Sequence, residues 1–203
     1  MTDITDKYQT IDGRPLGTPH VNTMEQDFSR IRYTFICKDL PYFYQDSVVL
    51  DCGGGYGTGA DELLKRGATQ VDCVDLNPDA IEIGKEMFPD PKINYICSSW
   101  NDLKGPYDIV VAVELVEHLT DVELDASLKQ WHDILLDNGC LYITTPRLRG
   151  QKSDFPRGSH FTEFEFEELV NLVSKYGFEL LWSEVPEKTD SVSMALVFKK
   201  VRQ

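Results

Sequence analysis

No window of this 203-residue sequence comes near the ~18 uninterrupted apolar residues of a membrane-spanning helix, which sets aside a helical membrane protein. The N-terminus, MTDITDKYQT, has no basic region followed by an apolar block, so no secretory signal is read there. Cysteine is sparse. Cys37, Cys52, Cys73, Cys97 and Cys140 are odd in number, form no C-x-x-C pair and fall mostly in predicted strands. They read as buried, reduced thiols, and a cytoplasmic protein is expected. Positive charge is short as well, 20 Lys and Arg against 34 Asp and Glu, for a net −14. Such a surface opposes broad binding to nucleic acid or anionic membrane. Repeats, low-complexity tracts and interdomain linkers are missing too. With 41% hydrophobic and 27% charged residues, the expectation is one domain over 1–203, an arm and helix (1–45) leading into an α/β core (46–203).

What is present is glycine, concentrated in one place. The run VVLDCGGGYGTGA, residues 48–60, moves from an apolar strand through Asp51 to glycines at 53, 54, 55 and 57, then into a helix-compatible segment. Glycines there let the turn visit positive φ and bring the backbone against a ligand. The following helix start adds free N–H groups. Gly55-Tyr-Gly-Thr-Gly-Ala60 also fits the dinucleotide fingerprint G-x-G-x-x-A. Asp51 argues for a different ligand. A carboxylate at the strand end repels a pyrophosphate but suits an ammonium group, and S-adenosylmethionine carries an ammonium, a sulfonium and no phosphate.

Along the chain, residues 1–27 are polar, with Gly13, Pro15, Gly17 and Pro19, and read as an irregular arm placed to cover a ligand. Apolar residues at 28, 31, 35, 36 and 40 predict a helical stripe that Pro41 stops. Tyr42, Phe43 and Tyr44 read as packing against the sheet edge. Strands are expected over 47–52, 70–75, 93–97, 107–113 and 140–145, with a final strand pair over 178–182 and 193–198. Helices are expected after the glycines, then over 78–88 with Asn77 as cap, over 122–136, and over 163–176 closed by Gly177. Strand–helix alternation of this kind implies a mostly parallel sheet covered on both faces. Asp75 ends the second strand 18 residues beyond Gly57, near the ~20-residue offset at which a carboxylate meets ribose hydroxyls.

The spacing Asp51-x-Gly53-x-Gly55-x-Gly57 resembles motif I of class I S-adenosylmethionine-dependent methyltransferases. The element order from about residue 47 onward, about three quarters of the chain, is similar to their sheet. The resemblance implies an α/β fold with a doubly wound, mostly parallel, seven-stranded sheet whose last strand is antiparallel. It implies S-adenosylmethionine as cofactor, at Asp51, Gly53, Gly55, Gly57 and Asp75, with Leu76 and Val113 alongside. Family members place an acid and a small residue after the third strand to hold the adenine edge. Here Ser99 and Trp100 stand there, so the Ser99 hydroxyl and the Trp100 N–H are the candidates. Arg32 resembles a family arginine that meets the cofactor's carboxylate.

The fourth strand leads into Glu114-Leu-Val-Glu117-His118. If a helical turn follows, the i, i+3 and i, i+4 spacing puts Glu114, Glu117 and His118 on one face, able to hold a divalent ion or to act as a general base. This E-x-x-E-H block is similar to one in ubiquinone-biosynthesis O-methyltransferases and in small-RNA 3′-end 2′-O-methyltransferases, where it is associated with a divalent metal. By that likeness His160 completes a quartet for Mg or Mn. Many relatives carry Glu-His here without metal, as a brace for the loop, and that reading stands beside the first.

Between residues 147 and 160, RLRGQKSDFPRGSH carries Arg147, Arg149, Lys152 and Arg157 against the single acid Asp154, a local reversal of sign. It reads as a clamp for an anionic small-molecule acceptor. The overall expectation is O-methylation of a small acceptor. A nucleic-acid 3′-end 2′-O-methyltransferase, an NAD-binding oxidoreductase and a non-catalytic S-adenosylmethionine-binding protein remain as alternatives.

Overall fold

The computed structural model describes residues 10–11, 14–15, 30–147, 161–185 and 193–201. Seven strands form one sheet: β1 (Val48–Cys52), β2 (Gln70–Asp75), β3 (Ile93–Cys97), β4 (Tyr107–Val113), β5 (Leu135–Pro146), β6 (Phe178–Glu184) and β7 (Ser193–Lys200). Their spatial order is β3-β2-β1-β4-β5-β7-β6. The contacts among β1 to β5 are parallel, and β7 lies antiparallel between β5 and β6. The expected mostly parallel, seven-stranded sheet with an antiparallel last strand is therefore present. A separate antiparallel pair joins Thr10–Ile11 to Arg14–Pro15.

Alternation along each strand sorts side chains into two layers. On one face Leu50, Cys52, Val110, Ala112, Leu141 and Ile143 pack under α3 (Asp121–Ile134) and α4 (Phe166–Ser174). On the other, Val49, Val71, Cys73, Ile109, Val111 and Tyr142 pack under α1 (Thr58–Lys65) and the helical segment starting at residue 30. Burying one such leucine or valine contributes ~1.5–3 kcal/mol. The central strands, apolar on both faces, are thus the stiffest support the chain has for a site.

Local signals set most boundaries. Asn77 caps α2 (Pro78–Met87) by accepting from the Asp79 and Ala80 N–H groups, with Pro78 in the first turn. Thr120 and Glu123 close a capping box on α3, whose buried Leu124, Leu128, Trp131 and Ile134 form its core-facing stripe. Gly177, at φ 82°, follows the end of α4.

Three expectations need correction. Helix α3 stops at Ile134, because Leu135 already pairs with Tyr107 and the strand bulges through Asn138 (φ 67°) before resuming at Cys140. Helix α4 is shorter than expected, since Phe164 bridges to Arg147 before the helix begins. The N-terminal stripe is also rotated. Ile36 is buried as expected, but Ile31 is 48% and Leu40 40% exposed, whereas Tyr33 is buried. The segment tightens to a 3-10 turn over Phe35–Lys38, and the tyrosine is drawn inward by a polar partner described below. Of the aromatic trio, Tyr44 is fully buried against Phe43 while Tyr42 is 78% exposed.

Candidate active site

The sheet order reverses between β1 and β4, and in open sheets of this kind ligands settle beyond the carboxyl ends of the strands at such a point. Asp51 is the penultimate residue of β1, on the same face as Val49, and is completely buried. The Tyr33 hydroxyl donates to Asp51 Oδ1 at 2.9 Å, while Oδ2 has no partner among the described residues. Burial pushes the Asp51 carboxyl up to about 7; the Tyr33 hydrogen bond opposes this and the neighbouring Asp75 adds to it. A buried carboxylate oxygen left unpaired is costly, so the site is prepared for a donor from elsewhere.

The glycine turn shapes the space next to that oxygen. Gly53, Gly55 and Gly57 all have positive φ, as the sequence requires of them. Gly54 is needed for a different reason. A Cβ there would stand 2.5 Å from Cys73 Sγ and 2.8 Å from Asp51 Oδ2, so only glycine lets the backbone pass. Asp75 braces the turn: its Oδ2 accepts from Gly55 N–H at 2.9 Å and its Oδ1 from Asn77 N–H at 2.8 Å. Burial raises its pKa while these backbone bonds pull the other way. The residues fit a ligand that brings a cation to Asp51 and hydroxyls to Asp75. They do not fit a pyrophosphate against Asp51.

Across the crevice, β4 ends in a turn that carries two more carboxylates. Glu114 adopts φ 50°, and its N–H donates to the Thr144 carbonyl at 2.9 Å. Its Oε1 accepts from the Thr144 hydroxyl at 3.0 Å and its Oε2 lies 3.5 Å from Arg32 Nε. Glu117 is 1% exposed, and its Oε2 accepts from the Thr145 hydroxyl at 2.9 Å. Burial, and then repulsion from Glu114, push Glu117 up to about 8. Its carbonyl accepts from the Phe161 and Thr162 N–H groups, which ties this turn to the segment leading into α4.

The shared helical face expected for Glu114, Glu117 and His118 does not form. The helical turn is a 3-10 piece over Val116–His118 only, and Glu114 precedes it in a left-handed conformation. The two glutamates are instead held separately, Glu114 by Thr144 and Glu117 by Thr145, within electrostatic reach of each other. Among the described residues no group of three or more His, Cys, Asp and Glu side chains is arranged to hold a metal ion. His160 lies outside the described residues.

Other expected site residues fare unevenly. Trp100 is 7% exposed and its indole N–H donates to Ser127 Oγ at 2.9 Å, so that N–H is already engaged within the core. Ser99 caps the short turn behind it, accepting from Asn101 N–H at 3.2 Å. Leu76 and Val113 are half-buried at the ends of β2 and β4. Arg32 reaches the crevice but faces Glu114. Of the basic run, Arg147 pairs with Glu165 at 3.5 Å, and Arg149, Lys152 and Arg157 lie outside the described residues. Sequence reasoning missed Tyr33, Thr144, Thr145 and Leu115, whose side chain lies 3.0 Å from where a Gly53 Cβ would be. Tyr33 carried one signal, its place beside Arg32.

The profile of one family, described as "Methyltransferase domain", matches residues 28–183. Among curated relatives, the mitochondrial ubiquinone biosynthesis O-methyltransferase of Saccharomyces cerevisiae is 28% identical over 128 residues, covering 55% of this chain and 41% of that enzyme. N-terminal Xaa-Pro-Lys N-methyltransferase 1 of Mus musculus is 29% identical over 140 residues, 66% of this chain and 63% of that one. The chain thus spans about half the length of these relatives. In fold it is similar to the 1,6-didemethyltoxoflavin-N1-methyltransferase of Burkholderia thailandensis, solved with its acceptor and S-adenosylhomocysteine. The TM-score is 0.70 at 20% identity, over 88% of this chain and 80% of that one. Magnesium protoporphyrin IX methyltransferase of Synechocystis with bound S-adenosylhomocysteine also scores 0.70, at 15% identity, over 91% and 90% of the two chains.

Proposed function

The chain belongs to the methyltransferase-domain family, and from that premise we propose that it is an S-adenosylmethionine-dependent methyltransferase acting on an oxygen of a small acceptor. One observation carries the reading: Asp51 Oδ2, fully buried and unpartnered among the described residues, stands against the Gly54 backbone. That oxygen awaits a cationic donor, and the cofactor's ammonium is one.

When bound, the cofactor supplies a methyl group on a positively charged sulfur that is already a good leaving group. What is left for the chain is alignment, which can supply ~7–11 kcal/mol of the barrier, and handling of one proton. Asp51 holds the ammonium and Asp75 accepts from the ribose hydroxyls. Gly53, Gly55 and Gly57 give room for the chain of the cofactor, with Leu76 and Val113 as apolar walls and the Ser99 hydroxyl at the adenine side. Arg32 turns from Glu114 to the cofactor's carboxylate. On the acceptor side Glu117, oriented by the Thr145 hydroxyl, takes the acceptor's proton. Its pKa of about 8 suits a base working near neutrality. Glu114 keeps that pKa high. The basic residues Arg147, Arg149, Lys152 and Arg157 select an anionic acceptor.

A second reading, transfer to an amine, is favoured by the same turn, since Glu114 and Glu117 place two carboxylates where a cationic acceptor would be attracted. The mouse relative is named for N-terminal N-methylation. Methyl-labelled S-adenosylmethionine offered with a panel of hydroxyl- and amine-bearing small molecules separates the two. Label on an oxygen supports the first, label only on nitrogen moves the assignment to the second, and no transfer to any member of a broad panel counts against both.

A further inference from the structure

We propose that Tyr33 is a positioning residue of the cofactor site: its hydroxyl occupies Asp51 Oδ1, so that Oδ2 alone is presented to the cofactor's ammonium. The inference rests on the reading of the glycine cradle as an S-adenosylmethionine site, and it makes the helical segment beginning at residue 30 a working part of that site.

Three observations support it. The hydroxyl reaches Oδ1 at 2.9 Å with both side chains buried, a geometry in which a phenol proton is committed to one acceptor. The ring has been given its room by α1. A Cβ on Gly59 would stand 2.0 Å from the Tyr33 ring, so this glycine, inside the helix and past the turn, serves the tyrosine and not the ligand loop. The backbone carrying the ring is pinned twice by buried phenols from other elements. Tyr44 donates to the Tyr33 carbonyl at 2.8 Å, and Tyr142 donates to the Arg32 carbonyl. A hydroxyl fixed from three directions is placed for its partner.

Among the described residues, the titratable groups around Asp51 are Tyr33 and Tyr44 from the N-terminal segment, Cys52 beside it, Cys73 and Asp75 of β2, and Tyr95 of β3. None is a cation. Only the Tyr33 proton works against burial to favour the Asp51 carboxylate, so its removal moves the carboxyl further up. An ammonium binds to the ionised carboxylate. Loss of the hydroxyl therefore weakens binding most where Asp51 is already protonated, and least at high pH.

The test is calorimetric titration of S-adenosylhomocysteine into wild type, Tyr33→Phe, Gly59→Ala and Tyr44→Phe, at about pH 6 and about pH 8.5, with thermal melts confirming folded protein. Losing a hydrogen bond to a charged group predicts that Tyr33→Phe binds about tenfold or more weakly at the lower pH, a gap that narrows to about twofold at the higher. Gly59→Ala, which displaces the same ring, follows the same pattern. Tyr44→Phe, which touches backbone only, shows a loss independent of pH. A Tyr33→Phe loss equal at both pH values, or none, overturns the positioning role while leaving the cofactor reading in place. Absence of binding by folded wild type at either pH overturns both.

Discussion

Asp51 and Glu117 stand near the carboxyl ends of neighbouring strands, both buried and both raised above the ordinary carboxyl range, yet their surroundings treat them in opposite ways. Asp51 has one oxygen held by Tyr33 and the other left unpartnered among the described residues. Glu117 is held by Thr145 and feels repulsion from a second carboxylate, Glu114. The first arrangement has a place for an added cation. The second stores a proton affinity. Burial alone thus does not define a carboxylate's work; what is left unpaired beside it does.

The sharpest way to break this contrast is to neutralise Asp51. Asp51→Asn removes the charge that meets the ammonium, and truncating one side of a buried charged pair costs ~2–5 kcal/mol, so S-adenosylhomocysteine binding falls by about 30-fold or more in calorimetry. The same substitution stabilises the ligand-free protein. Because the folded pKa of Asp51 lies near 7, above the unfolded value of ~3.9, the folded state holds more protons between those limits and stability declines as pH rises through that window. Asparagine has no such cost, so its melting temperature above about pH 7 exceeds that of wild type by several degrees. A variant that binds normally and melts lower would erase the contrast.

Glu117→Gln tests the other half. It should lower kcat by about 10²-fold or more while the affinity for S-adenosylhomocysteine stays within about twofold. In wild type, kcat rises with pH and levels off above about pH 8, as the base ionises. Loss of cofactor affinity with turnover preserved would interchange the two roles.

How much of this was legible in the sequence follows the same division. The cradle is contiguous: Asp51, the glycines and Asp75 are fixed by one strand–turn–helix unit and its successor, and Asn77 and Pro78 announce the next helix. The carboxylate turn is not contiguous. Its geometry depends on Thr144 and Thr145, some 30 residues away on β5, and on a positive φ at a glutamate, which spacing rules do not anticipate. Tyr33 was missed for a related reason. Apolar periodicity counts Ile31 as core and has no weight for a phenol that is buried because its hydroxyl has a partner. Trp100 shows the reverse case: its polar handle is legible in the sequence, but its partner Ser127, in the next layer, is not.

That last point gives the mildest perturbation. Trp100→Phe gives up the hydrogen bond to Ser127 and should cost about 1 kcal/mol of stability, with binding of S-adenosylhomocysteine changed by less than about twofold. A large loss of affinity with unchanged melting would return Trp100 to the cofactor side of the comparison.

The most direct test of the central claim is calorimetric titration of wild type with S-adenosylhomocysteine from about pH 5.5 to 8.5, with NADH as comparator. The account predicts saturable binding of S-adenosylhomocysteine, weakening roughly tenfold per pH unit below about 7 as Asp51 becomes protonated. Heat with NADH and none with S-adenosylhomocysteine, or an affinity flat across that range, would contradict it.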